Sequence, residues 1–105
     1  MTPLPRDSVA EQFGRNLRRC RRRADISQEE LSYAASVHRT EISQLERALR
    51  TPRIDTVIKL AGALEVPAGD LVGGIAWEPP APAMRGGFRS PDGESAGRVP
   101  GESEG

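Results

Sequence analysis

The chain has 105 residues, no formal net charge and an aromatic content of 4%, which leaves room for one domain with a small aliphatic core. The single cysteine, Cys20, excludes an internal disulfide and any cysteine-based metal centre, and no apolar run is long enough to span a membrane. The neutral total hides a local asymmetry, because six arginines fall between Arg15 and Arg23, and a polyanion needs only such a local basic patch.

Residues 1–7 carry prolines and no apolar signal-peptide core; they read as a flexible arm of a protein that stays in the cytoplasm. A domain is predicted over 8–72. Its first helix is capped by Asp7 or Ser8, and Val9, Phe13, Leu17, Cys20 and Ala24 form one apolar stripe at spacings of three and four. Cys20, on that stripe, reads as a core residue, with redox sensing as the alternative. The second helix opens with a capping box, Ser27-Gln28-Glu29-Glu30, flanked by Ile26 and Leu31 as a hydrophobic staple, and runs through Leu31, Ala34 and Ala35.

Ser36-Val37-His38 forms a short break, and a third helix over about Arg39 to Arg47 turns Ile42 and Leu45 inward. A fourth helix spans Ile54 to Leu64, with Val57, Ile58, Leu60, Ala61 and Leu64 as its apolar positions, and a last short helix after Val66-Pro67 buries Leu71. Beyond Val72 the chain turns rich in Gly and Pro. Ile75-Ala76-Trp77 and Gly87-Phe88-Arg89 are β-compatible pieces of an arm over 73–89 that can pair as a hairpin, and residues 90–105 have the composition of a disordered tail. The fold class is therefore all-α: five helices, a Pro/Gly-rich arm and a tail.

Two helices joined by a tight turn, from about Ser27 to Arg47, suit one task. The first braces on the phosphate backbone while the second enters the major groove. A helix that reads base edges needs hydrogen-bonding groups on its outward face near its start. Arg39, Thr40, Ser43 and Gln44 share one such face, opposite Ile42 and Leu45.

Ile26-Ser27-Gln28-Glu29-Glu30-Leu31, Ala34, Val37, Ile42, Leu45-Glu46-Arg47, Pro52, Leu60-Ala61, Leu64 and Leu71 together resemble the lambda-repressor-like, or XRE/Cro, helix-turn-helix family over about Phe13 to Val72. The resemblance implies that Arg39, Thr40 and Gln44, with Ser43 beside them, read bases. It also implies that Gln28, His38, Arg50 and Arg53 face phosphates, and that Arg21 pairs structurally with Glu46. Ser36 and Ala48 stand where the family often has glycine, and Arg53 where a capping serine is usual.

The expected function is a transcriptional regulator, a repressor that binds a palindromic operator in double-stranded DNA as a homodimer. The dimer surface is expected on the last helix (Leu71, Val72, Ile75) or on the Trp77 arm. The alternative is an interaction module, antitoxin-like or an adaptor subunit, that uses the same fold to hold a partner protein. With one histidine, His38, no nucleophile motif and no metal cluster, the chain is not expected to be an enzyme, to carry a cofactor or to bind a small-molecule effector.

Overall fold

The computed structural model describes residues 6–80 and 86–89. Its elements are α1 (Arg6–Arg23), α2 (Gln28–Ala35), α3 (Arg39–Glu46), α4 (Ile54–Leu64), α5 (Ala68–Val72), β1 (Ala76–Glu78) and β2 (Gly87–Arg89). The first helix begins earlier than its cap residues suggest. Arg6 is already helical, so Asp7 and Ser8 lie inside the first turn; the arm expected over 1–7 lies otherwise outside the described residues. The tail expected over 90–105 lies outside the described residues.

The helices enclose one core, built from Phe13, Leu17 and Cys20 of α1, Leu31 and Ala35 of α2, Val37, Ile42 and Leu45 around α3, four residues of α4 and Leu71 of α5. α1 packs on α3 and α5, and α2 packs on α3 and α4. Three positions expected on the core side are exposed instead: Ala24, Ala34 and Ile58. Ala24 lies beyond the end of α1, in the turn to α2. Ala34 and Ile58 each stand next to a residue one position along the helix, Ala35 and Val57, that occupies the inward direction.

Asn16, fully buried, is a polar member of the α1 stripe. Its amide donates to the carbonyls of Leu71 at 2.9 Å and Gly73 at 3.0 Å, which ties the end of α5 to α1. Its Oδ1 accepts from Gln12 at 3.0 Å and Arg19 at 2.9 Å, so the buried amide is satisfied on both sides. Leu71 is wholly buried and Ile75 half-buried, which removes most of the apolar surface that a dimer contact through α5 would need. Only Val72, 41% exposed, is left outside. Beyond α5, β1 and β2 pair antiparallel, with Trp77 opposite Phe88 and their rings edge to face at 5.1 Å. β2 rests on α1.

The turns after α1 to α4 share one backbone solution. Asp25, Ser36, Ala48 and Glu65 adopt left-handed conformations with φ between 57° and 62°. In each case the next amide reaches back five residues to a helix carbonyl: Ile26 to Arg21, Val37 to Ser32, Leu49 to Gln44 and Val66 to Ala61. This is the Schellman closure, which usually recruits glycine because a Cβ crowds the following carbonyl. Ser36 and Ala48 are two of these four positions. Replacing Ala48 or Glu65 by glycine should raise the unfolding free energy by about 1 kcal/mol each. Equilibrium urea denaturation checks this, and an unchanged or lower midpoint would show that these turns carry no strain.

Candidate nucleic-acid interface

The site begins with how α2 and α3 are oriented. The Ser27 hydroxyl accepts from the Glu30 amide at 2.9 Å, and the Glu30 carboxylate accepts from the Ser27 amide at 2.7 Å. This capping box fixes where α2 starts. Ser36 ends α2 in its left-handed turn, and α3 starts at Arg39 with His38 at the cap position. The His38 side chain makes no capping hydrogen bond, so the geometry here comes from the backbone turn and from the burial of Val37 and Ile42.

At the front of α3, Arg39 and Thr40 are exposed and Ser43 and Gln44 are half-buried, while Ile42 and Leu45 are fully buried behind them. These four polar side chains thus share the outward side of one helix. Arg50 joins them from the α3–α4 connection, its guanidinium donating to Gln44 Oε1 at 3.1 Å. That bond occupies the Gln44 oxygen and leaves its two amide N–H donors without a partner among the described residues. Arg53 is exposed at the cap position of α4 and pairs with Asp55 at 3.2 Å. A shallow depression beside the front of α3 is lined by Ser32, Tyr33, Ser36, Val37, His38 and Arg39. The sequence reading passes over Tyr33, an exposed aromatic at this rim whose hydroxyl bonds Glu29 at 3.2 Å.

The back of α3 is held by charge. Glu46 has a side chain 1% exposed, and three side chains donate to it. Arg21 does so twice, Nε to Oε2 at 2.6 Å and Nη2 to Oε1 at 3.0 Å. Gln28 donates at 3.1 Å and Arg18 at 3.5 Å. Arg21 also donates to the Ile26 carbonyl at 3.0 Å, and Arg18 to the Glu46 carbonyl at 3.4 Å. The carboxylate therefore joins α1, the start of α2 and the end of α3. Gln28 commits one of its two amide protons to this junction, leaving one N–H for any phosphate. Arg18 is a partner that the sequence reading does not single out.

Burial pushes the Glu46 carboxyl up; the hydrogen bonds from Arg21, Gln28 and Arg18 and the Arg21 charge outweigh it and hold the group below the usual carboxylate range. The same hydrogen bond raises Arg21 against its own burial. The helices can meet this closely because residue 14 is glycine: a Cβ there would lie 2.7 Å from the Leu45 carbonyl oxygen and 2.9 Å from that of Glu46. Arg15, Arg18, Arg19, Arg22 and Arg23 line an open basic groove along α1 beside Glu46.

Comparison with known proteins converges on this unit. A helix-turn-helix family profile matches residues 17–71. The control protein C.BamHI of Bacillus amyloliquefaciens is 38% identical over 61 residues, which cover 57% of this chain and 75% of that protein. Among solved structures, the restriction-modification controller protein C.AhdI of Aeromonas hydrophila superposes with a TM-score of 0.59 at 30% identity, over 61% of this chain and 97% of that one. The P22 c2 repressor, solved in complex with a synthetic operator, superposes with a TM-score of 0.56 at 28% identity, over 61% and 97% of the two chains.

Removing the junction has a defined effect. Glu46→Ala should lower the unfolding free energy by about 3–5 kcal/mol, because a partly buried guanidinium loses its counter-charge. Since the Glu46 pKa is lowered on folding, its contribution is present above the unfolded carboxylate value and is lost as pH falls through the folded one. Arg21, raised on folding, stays fully charged throughout that range. The stability gap between the parent and Glu46→Gln should thus be full at neutral pH and narrow below about pH 4; a gap independent of pH would remove the charge from the account. Gly14→Ala should cost about 1–3 kcal/mol through overpacking, although alanine favours an isolated helix. Thermal unfolding reads this directly, and a stabilised variant would mean that α1 and α3 are not in fixed contact.

Proposed function

Because the chain belongs to the helix-turn-helix family, we propose that it is a transcriptional regulator of the restriction-modification controller type, which binds double-stranded DNA by inserting α3 into the major groove. The observation that carries this reading is the pairing of an exposed polar front on α3 with a buried ionic anchor at its back. Arg39, Thr40, Ser43 and Gln44 read base edges. An arginine suits guanine, and a glutamine whose oxygen is held by Arg50 offers donors to an acceptor edge. Gln28, His38, Arg50 and Arg53 contact phosphates and supply salt-dependent affinity.

The protein acts by occupancy and catalyses no reaction. It binds a palindromic operator as a homodimer, since one domain reads only a few base pairs and two half-sites about one helical turn apart supply specificity. Repression follows where the bound dimer blocks polymerase, in the cytoplasm where the DNA lies. No helix among the described residues is long and apolar enough to cross a membrane.

A fluorescence-anisotropy titration tests the reading head, using a duplex selected from random-sequence DNA and non-specific competitor at two salt concentrations. Arg39→Ala and Gln44→Ala should each lose about 1–3 kcal/mol of binding and relax preference at one base-pair position. Arg53→Ala should weaken all duplexes alike and flatten the salt dependence. If both α3 variants bind the selected duplex as the parent does, α3 is not the reading element.

A further inference from the structure

α1 carries more positive charge than the fold uses. Six arginines lie between Arg15 and Arg23, and Asp25 is the one acid that accompanies them as far as the turn. Arg21 is matched at short range by Glu46, whereas Arg18 reaches the same carboxylate only at 3.5 Å, with its side chain 42% exposed. Arg22 and Arg23 are exposed and have no ion-pair partner among the described residues. With Arg15, Arg18 and Arg19 they line the open groove beside Glu46, and like charges this close on a helix repel one another. The groove adjoins the root of the C-terminal arm. Arg19 donates to Asn16 Oδ1 at 2.9 Å, and the Asn16 amide donates to the Gly73 carbonyl at 3.0 Å. Three residues on, Ala76 pairs across the hairpin with Arg89, whose own charge is neutralised by Glu78 at 3.0 Å. β2 rests on α1. The chain therefore leaves Arg89 beside the helix that carries the arginines.

We infer that the acidic segment 90–105 of this chain seats in the α1 groove and screens it from DNA. The segment holds Asp92, Glu94, Glu102 and Glu104 against Arg98 alone, and Val99 is its one branched apolar side chain, so charge is what it offers a surface. Its reach is ample. Residues 90–104 can extend over roughly 50 Å, and Arg15 to Arg23 covers roughly 12 Å of α1. The tether holds the acids at an effective concentration on the order of millimolar, so individually weak, exposed ion pairs suffice to populate the contact. The competing occupant is a duplex. The groove opens at Glu46, which Gln28 also bonds at 3.1 Å, so an anionic segment seated there lies next to a proposed phosphate contact and repels the DNA backbone. The screening rests on the operator reading above; the seat itself does not.

Nuclear magnetic resonance of the full chain without DNA tests the seat, with a nitroxide attached at Ser103→Cys; native Cys20 is buried and takes no label. Amide signals across Arg15 to Arg23 should be broadened, and that of Lys59, exposed on α4, should not. The broadening should vanish in about 1 M salt, where the screening length falls to about 3 Å, and when Asp92→Asn, Glu94→Gln, Glu102→Gln and Glu104→Gln are combined. It should also fall in Arg22→Gln/Arg23→Gln, which alters exposed positions and keeps the fold. In duplex titrations the neutral-tail variant should bind selected and competitor DNA alike about three- to tenfold more tightly, as when the groove is open in about a third to a tenth of parent molecules. Absent or uniform broadening, broadening that survives neutralisation of the tail, or broadening received only from a nitroxide on a second copy would each overturn the seat. Absent broadening together with weaker duplex binding by Arg22→Gln/Arg23→Gln would give the groove to DNA instead. A neutral tail that leaves duplex affinity unchanged would overturn the screening. The resonance measurement contains no DNA, so a seated segment in a chain that binds no duplex selectively would overturn the operator reading and leave the seat standing.

Discussion

Glu46 is a charge taken out of water, and the domain is arranged around keeping it satisfied. An isolated carboxylate at this depth would be protonated or would destabilise the fold by several kcal/mol. Donors from Arg21, Arg18 and Gln28 surround it instead, and they come from two other helices. Such a pair adds less net stability than apolar packing of equal volume would. Its value is directional. Two oxygen atoms with fixed lone pairs accept fixed donors, and Arg21 adds a bond to the Ile26 carbonyl at the entry to α2. A leucine at residue 46 would fill space without specifying an angle. α3 thus has its back end fixed by hydrogen-bond geometry and its inner side fixed by Ile42 and Leu45.

The same junction also resolves an electrostatic conflict. Glu46 is the last residue of α3, where the helix dipole places partial negative charge, so an acid there is unfavourable on its own. The arginines stand in the second half of α1, where positive charge is favoured. Bringing the two helix ends together lets Arg18 donate both to the Glu46 carboxylate and to its carbonyl, serving the misplaced acid and the carbonyl end of α3 at once. Gly14 is the steric condition for this approach, since any side chain there would meet the α3 backbone.

Much of this plan was legible in the residues. The capping box at Ser27 located α2, and the spacing of Ile42 and Leu45 placed Arg39, Thr40, Ser43 and Gln44 on the outer side of α3. The boundaries of α4 were readable from Ile54 and Leu64. Less legible was whatever depended on partners far apart in sequence. Asn16 occupied a stripe position, three residues after Phe13 and four before Cys20, and a polar residue there was the available sign of a buried hydrogen-bonding role; its acceptors, Leu71 and Gly73, could not be read from spacing. The left-handed turns at Asp25 and Glu65 carried no glycine to mark them. Ile58 was read as core because periodicity gives a helix face only to within one position, and Val57 took the inward place.

The division of α3 into a buried side and a polar outer side bears on how the domain meets DNA. Four polar side chains on an eight-residue helix cover too few base pairs to single out a site in a genome. What those side chains can discriminate therefore depends on how rigidly α3 is held. That rigidity runs in one path, from the buried core to α2 and α3, and from there through Glu46 into α1. A change that loosens any link of that path weakens discrimination between sequences before it weakens attraction to DNA, because phosphate contacts tolerate small displacements and base-edge hydrogen bonds do not.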